Sequence, residues 1–289
     1  MAFQGTKINP KRFDKSQLKF YAFLIPMAIF MILPVVYITN QAFKPLDELF
    51  MFPPRFFVIK PTLQNFTDLW RTSSTTGVPM TRYLFNSIVA TSATVILSIF
   101  VTAGAAYILS KKKFKAKNWL FSVNQIALMF VPIAVAIPRY LIIKQTGLTD
   151  NFLAHILPML ALPVGLFLVK QFMDQVPDAV IEAARLDGAN DWMILTRIVI
   201  PLVLPALATV GILTFQVSWN ATEASSLYIT NETLKNFAFY LSSLTNASNS
   251  IAGVGMAAAA GLIMFLPNLF IFIMLQSKVM NTMSHSGMK

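Results

Sequence analysis

The chain has 289 residues, of which 56% are apolar and 12% charged, against about 45–50% and about 25% in ordinary soluble domains. So few charged side chains cannot cover a soluble globule of this length, and the composition is that of a membrane protein. The net charge of +11 would suit nucleic acid, but most basic residues stand in short segments beside apolar runs, the pattern that orients membrane helices, so nucleic-acid binding is set aside.

Cysteine is absent, which removes disulfides, thiolate metal sites and a cysteine nucleophile. Runs of about 20 apolar residues, enough to cross a bilayer, predict an all-α membrane protein with six transmembrane helices. A basic tail over 1–19 (Lys7, Lys11, Arg12, Lys15, Lys19) precedes the first span, 20–43. That run is longer than the apolar part of a signal peptide, and no small-residue cleavage site follows it; a retained anchor is expected. A loop over 44–83 leads to the second span, 84–109. There Ser87, Thr91, Thr94, Ser98 and Thr102 recur at helical spacing. Hydroxyls in a span line a polar path or let helices pack closely, and packing is the favoured reading.

A lysine run (Lys111, Lys112, Lys113, Lys115, Lys117) separates this span from the third, 119–143, which holds Gln125 and, toward its far end, Arg139. The fourth span is 152–172, with His155 near its start. The segment that follows, 173–201, is charged and rich in alanine. Pro177 suits a first helical turn. Asp178 and Glu182 lie toward the positive end of that helix and Arg185 toward its negative end. Gly188 stops it by taking the left-handed conformation. Asn190 or Asp191 then caps a second helix through Ile194, Leu195 and Ile198 to Pro201. Ala183 and Ala184 give the first helix a narrow profile suited to entering another protein's groove. The alternative is a loop that merely joins two spans.

The fifth span, 202–221, carries Gln216 and Asn220 one turn apart with Trp219 beside them. Amides plus an indole suit a sugar, which offers hydroxyls and an apolar ring face; the alternative is an interfacial tryptophan anchor. A loop over 222–252 holds Tyr228, Phe237, Phe239 and Tyr240 among serines, threonines and asparagines. In the sixth span, 253–277, Gly253, Ala257 and Gly261 form a small-residue packing face. A tail over 278–289 ends the chain.

An even number of spans puts both termini on one side. With the ends inside, the inner segments hold 15 of the 23 Lys and Arg residues and the outer ones 8. This bias makes both termini and 173–201 cytoplasmic, with 44–83 and 222–252 outside.

The run Glu182-Ala183-Ala184-Arg185-Leu186-Asp187-Gly188-Ala189, followed by Arg197-Ile198-Val199-Ile200-Pro201 and Pro205, resembles the EAA loop of binding-protein-dependent ABC importers. The maltose-type branch, which takes up oligosaccharides, is the most similar. Thr62-Leu63-Gln64-Asn65-Phe66, Asn86-Ser87, Ala105-Ala106-Tyr107, Pro138, Gly147-Leu148-Thr149, Trp219-Asn220, Met256-Ala257-Ala258 and Pro267 resemble that branch in the same order. Leu195 stands where an aromatic is common and Ile200 where leucine is usual, both keeping apolar character. The stretch after Asn220 departs from the branch.

The resemblance implies the type I ABC importer permease fold, with a six-helix permease domain over 20–277. In it the EAA segment docks on a separate ATPase, through Glu182, Ala183, Ala184, Asp187 and Gly188, while Ile198 and Pro201 pass motion into the fifth span. It implies as partners a second permease subunit of different sequence, two ABC ATPase subunits, an extracytoplasmic solute-binding protein and a carbohydrate solute in a bacterial or archaeal plasma membrane. The loop at 222–252 and the tail from Ser286 would approach the binding protein and the ATPase respectively.

No GxxxxGK[ST] phosphate loop occurs in this sequence, so ATP and Mg are expected on the partner ATPase and no cofactor in this chain. The two histidines, His155 and His285, make neither a metal motif nor a catalytic constellation. The expectation is a subunit and not an enzyme. A secondary transporter would need coupling charges within its spans, where Arg139 stands alone. An intramembrane enzyme would need a paired nucleophile and base that the spans lack.

Overall fold

The computed structural model describes residues 17–71, 77–247 and 251–286. Lys7, Lys11, Arg12 and Lys15 of the basic tail, and Gly287-Met288-Lys289, lie outside the described residues. All regular structure among the described residues is helical. In order come α1 (Leu18–Phe43), α2 (Leu46–Leu49), α3 (Gln64–Arg71), α4 (Met80–Lys111), α5 (Lys117–Ala127) and α6 (Ala136–Gln145). Then follow α7 (Pro163–Asp174), α8 (Asp178–Leu186), α9 (Asp191–Ile194), α10 (Ile200–Leu202), α11 (Leu204–Trp219), α12 (Phe237–Ala247) and α13 (Ile251–Ser286).

Three stretches are long and apolar enough to cross a membrane unbroken: Leu18–Phe43, Met80–Lys111 and Gly253–Met274. The other three expected spans are bent. α5 turns by 111° into Pro132–Gln145, Phe152–Met159 meets α7 at 43°, and Asp191–Leu202 meets α11 at 83°. With each bent pair taken as one span the count is six. The continuous helices expected at 119–143 and 152–172 do not form, whereas that expected at 202–221 forms as α11 over 204–219, with its bend at the entrance.

Proline is the physical cause at each bend. Val131 and Leu162 are extended, as the clash with a following proline favours. Pro132 and Pro163 then open new helical segments, where a missing N–H costs nothing. At the third bend Val203 leaves helical geometry, because Pro205 has no N–H for the carbonyl of Pro201 and its ring would strike it. The second helix of 173–201 therefore runs past Pro201 instead of ending there. Leu195–Val199 form a π-turn in which the Ile200 N–H donates five residues back to the Leu195 carbonyl. This wider turn takes Pro201 into the helix, and the chain breaks two residues later.

The chain divides into two compact units. The first draws on 1–69 and 247–262. Here the expected open loop after α1 is tied down. Asn65 Nδ2 donates to the carbonyls of Ala42 at 2.9 Å and Lys44 at 2.7 Å, satisfying acceptors that the end of α1 leaves free. The Glu48 carboxylate accepts from the backbone N–H of Ile59 at 3.0 Å and Lys60 at 2.8 Å, and the Lys44 ammonium donates to the Arg55 carbonyl. Gly255 lies hard against Asn65: a Cβ there would come within 2.5 Å of its Oδ1. The closely packed small residues of α13 are thus Gly255 and Ala259, both buried, while Gly253, Ala257 and Gly261 are only half-buried. The spacing is as expected; the face is rotated, because Asn65 decides which glycine has a close neighbour.

The second unit draws on 70–246 and 263–289. Its main core joins Ala103, Ala106 and Tyr107 of α4, Val169 and Met173 of α7, and Ala206, Leu207 and Val210 of α11. Ile181 and Ala184 of α8 and Ile194, Leu195 and Val199 beyond it complete the cluster. The hydroxyl stripe of α4 is wholly buried. Ser98 and Thr214 share a hydrogen bond at 3.3 Å, Ser218 donates to Thr91 at 3.5 Å, and the Phe237 N–H donates to Ser87 at 2.8 Å. These hydroxyls join helices.

Of the stretch 222–252, residues 222–247 are not an open loop. A π-turn at Ala224–Tyr228, a 3-10 turn at Glu232–Leu234 and α12 fold it onto α4. Asn86 Nδ2 donates to the carbonyls of Thr233 and Lys235, each at 2.8 Å. Tyr228, Phe237 and Tyr240 are buried and Phe239 is half-buried, so three of the four aromatics form core instead of facing a partner. Its polar side chains satisfy local backbone groups, as where the Asn236 N–H donates to Ser225 Oγ at 3.0 Å and Asn236 Nδ2 donates to the Ala221 carbonyl at 2.6 Å.

Candidate functional site

α8 presents two unlike faces. Ile181 and Ala184, three residues apart, enter the core. Glu182, Ala183, Asp187 and Gly188 are exposed, and Leu186 is 90% exposed. Of the five residues expected to dock on a partner, Ala184 is therefore corrected: helical periodicity puts it on the core side, buried within its own chain. Leu186 is the residue that sequence reasoning passed over. Its signal was present, since an apolar side chain two positions after Ala184 falls off the inward stripe.

The helix ends in a fully formed glycine cap. The Gly188 N–H donates to the Arg185 carbonyl at 3.0 Å and the Ala189 N–H to the Ala184 carbonyl at 2.9 Å, with Gly188 at φ +83°. This is the left-handed stop that a Cβ disfavours. Asn190 caps α9 by accepting the Met193 N–H at 2.8 Å. Of the pair Asn190 and Asp191, only Asn190 caps; Asp191 opens the first turn of α9. Ile198 is half-buried against the core, and Pro201 is exposed.

Asp191 has another task, which the sequence did not reveal. The end of α4 grips the chain on either side of α8. Lys111 Nζ donates to the Val176 carbonyl at 2.6 Å and to Asp178 at 2.8 Å, and Lys112 Nζ donates to Asp191 at 2.5 Å. The hydrogen bond from Lys111 holds the Asp178 carboxyl below the usual carboxylate range, and that from Lys112 does the same for Asp191. Arg185 adds a longer contact to Asp191 at 3.6 Å. Ser110 donates to Asp174 at 2.7 Å, and Lys170 reaches the same carboxylate at 2.6 Å. Charges that composition assigns to membrane orientation here fix one helix end to the next.

The polar residues of α5 and α11 separate on folding. Gln125, Gln216 and Asn220 are exposed. Trp219 is 3% exposed, its Nε1 donates to the Met264 carbonyl at 3.0 Å, and its ring stacks on Phe215 with centroids 5.7 Å apart. The indole is consumed by packing, so it offers no face to a sugar. It is not an interfacial anchor either, since its N–H bonds protein. Asn220 Nδ2 donates to the Gln216 carbonyl at 2.7 Å, closing the end of α11.

Near these residues lies a cavity of about 480 Å³. The two bends before Pro132 and Pro163 border it, together with Arg139 of α6, Thr214 and Val217 of α11, and Glu223. Arg139 Nη1 donates to Glu223 Oε2 at 2.8 Å, and the Tyr228 hydroxyl donates to Glu223 Oε1 at 2.6 Å. Arg139 thus has a partner, and the partner comes from a stretch read as loop. Burial and the Glu223 bond push the Tyr228 hydroxyl above its usual range, keeping it a proton donor. Close by, Asp150 accepts the Asn231 N–H at 2.8 Å and bonds the Thr230 hydroxyl, pinning 222–252 at a second point.

A family model described as "Binding-protein-dependent transport system inner membrane component" matches residues 95–277, well over half of the chain. The chain belongs to that family. The matched region holds the α8–α9 segment, all three bends and the cavity. Among curated relatives, the probable ABC transporter permease protein YurM of Bacillus subtilis is 29% identical over 88% of this chain and 87% of its own length. The trehalose transport system permease protein SugB of Mycobacterium tuberculosis is 24% identical over 89% and 92%. A crystal structure of a bacterial ABC transporter involved in the import of alginate contains a chain with TM-score 0.78 at 20% identity, covering 93% of this chain and 99% of that one. This inner membrane component accordingly has the type I ABC importer permease fold, and its relatives are permease subunits and not enzymes in themselves.

Proposed function

We propose that this chain is the permease subunit of an ATP-driven ABC importer for a carbohydrate, specifically an oligosaccharide. The observation that carries the reading is the exposed α8 face, capped by Gly188 and bearing Leu186, in a chain of this family that has no phosphate loop of its own. A short helix with a dry core side and a bare outer side is shaped to enter a groove on another protein. Glu182, Ala183, Leu186, Asp187 and Gly188 dock on an ABC ATPase, which binds ATP and Mg in two copies. Ile198 and Pro201 lie on the stretch that carries the resulting motion to α11. Relatives named for trehalose and for alginate support a saccharide solute.

The arrangement is a multi-pass protein of a bacterial or archaeal cytoplasmic membrane. The termini, the lysine run and α8 face the cytoplasm, and 44–83 and 222–252 face out. A second permease of different sequence completes the path, and an extracytoplasmic solute-binding protein delivers the solute. Gln125, Gln216 and Asn220 are this chain's exposed polar candidates along the path. Glu182→Lys or Gly188→Val is expected to abolish uptake while membrane insertion and protein level stay at wild type. The Val change strains a left-handed position by about 1–2 kcal/mol. Wild-type uptake in both variants would overturn the coupling role of α8.

A further inference from the structure

The cavity beneath Glu223 has features that a mere packing defect lacks. Two helix bends border it, and irregular backbone at membrane depth is tolerated only where it is buried in protein or lines a watered cavity. Its volume of about 480 Å³ falls within the range of small-ligand sites. Its walls are mostly apolar and include Phe130, a residue that is 59% exposed. Arg139 and Glu223 are the charged residues of this lining among the described residues, and their side chains are 30% and 28% exposed. They form an ion pair, so the lining carries donors and acceptors with no net charge.

We propose that this cavity is a solute subsite that takes an uncharged, hydroxyl-rich saccharide, with the Arg139–Glu223 pair reading hydroxyls and Phe130 covering an apolar ring face. The inference rests on the importer reading and adds a solute class to it. A guanidinium carries five N–H donors, more than Glu223 takes up, while a carboxylate accepts from sugar O–H groups. A neutral hydroxyl can bridge the two charges without separating them. A uronate would set its carboxylate against Glu223 and gain Arg139 only by displacing that partner, leaving a charge unpaired in apolar surroundings. Removing Glu223 therefore changes which class of saccharide fits.

Because the chain has no cysteine, Val217→Cys places its single thiol at the cavity wall, where Val217 is 49% exposed. The test uses the full importer, assembled with its partner subunits in nanodiscs. The rate of thiol modification is followed with uncharged, anionic and cationic methanethiosulfonate reagents. Maltotriose, cellotriose and xylotriose are added as uncharged protectors and trigalacturonate as the acidic one. At least one uncharged trisaccharide is expected to slow modification of V217C, and trigalacturonate to leave it unchanged. Glu223→Gln should remove that protection, confer protection by trigalacturonate, and raise the anionic-to-cationic rate ratio by about threefold or more. Arg139→Gln should also remove protection and lower the ratio. Protection by trigalacturonate alone, protection by no saccharide, or rate ratios indifferent to both substitutions would overturn the subsite. If Gly188→Val abolishes uptake while no saccharide protects V217C in the importer that carries Gly188, the importer reading stands and only this subsite is lost.

Discussion

Truncating Leu186 to alanine should separate docking from folding, because the side chain has so little to do within its own chain. It is 90% exposed, whereas Ile181 on the same helix is 4% exposed and part of the main core. Fully burying a leucine is worth about 1.5–3 kcal/mol. If the ATPase groove covers this side chain, Leu186→Ala weakens docking by about 2 kcal/mol, roughly a 30-fold loss of affinity. The same change removes almost no contact from the free permease, so its unfolding temperature should not move. Ile181→Ala is the opposite case, costing about 2–5 kcal/mol of stability through transfer and cavity terms. The assay is binding of purified ATPase subunits to the permease in nanodiscs, with thermal unfolding of each variant beside it. Undiminished ATPase affinity of L186A would refute the docking argument, as would an unfolding shift in L186A matching that of I181A.

Trp219→Phe deletes the donor to the Met264 carbonyl and should cost about 1–2 kcal/mol of stability; the KM for uptake should stay unchanged, since the indole meets no solute, and uptake titration with thermal unfolding checks both. Gly255→Ala drives a methyl into Asn65 and should cost about 1–3 kcal/mol by prising it from the Ala42 and Lys44 carbonyls; lower thermal stability with unchanged α8 docking would show this. Asp178 and Asp191 are held below their ordinary value of 3.8. Their folded-state pKa is depressed, so the stability they add is complete above that ordinary value and is lost as pH falls through the lower folded one. Unfolding in detergent followed from about pH 6 to about pH 3 should show an acid loss that a Lys111→Ala, Lys112→Ala double variant lacks.

Much of this molecule was readable from residue order because the relevant physics is local. Apolar runs marked the three unbroken apolar helices and the three bent pairs, since a bilayer asks only for length and lack of charge. Asp178, Arg185, Gly188 and Asn190 announced a capped helix, a left-handed stop and a second helix, because caps act over three or four residues. The prolines at 132, 163 and 205 also stood in plain view, yet an apolar run was read through them. A proline shows where a span can break; whether it breaks, and by 43° or 111°, depends on what packs on either side.

The remaining features depend on residues far apart in the chain. Glu223 reads as a loop acid until the fold sets it 2.8 Å from Arg139, 84 positions earlier. Trp219 reads as a sugar platform until Met264 takes its N–H. Composition explains Lys111 and Lys112 as orienting charges, and only packing shows them holding the chain on either side of α8. The small residues of α13 have the right spacing, but Asn65 selects Gly255 as the one in close contact. By itself, then, the sequence determined the membrane class, the shape of the α8 turn and the lack of a phosphate loop, all set by composition or by neighbours within a turn or two. The tertiary structure decided which face of α8 stays bare, which polar groups are consumed by packing, and which charges face a cavity, because those depend on pairings between distant residues that no local pattern encodes.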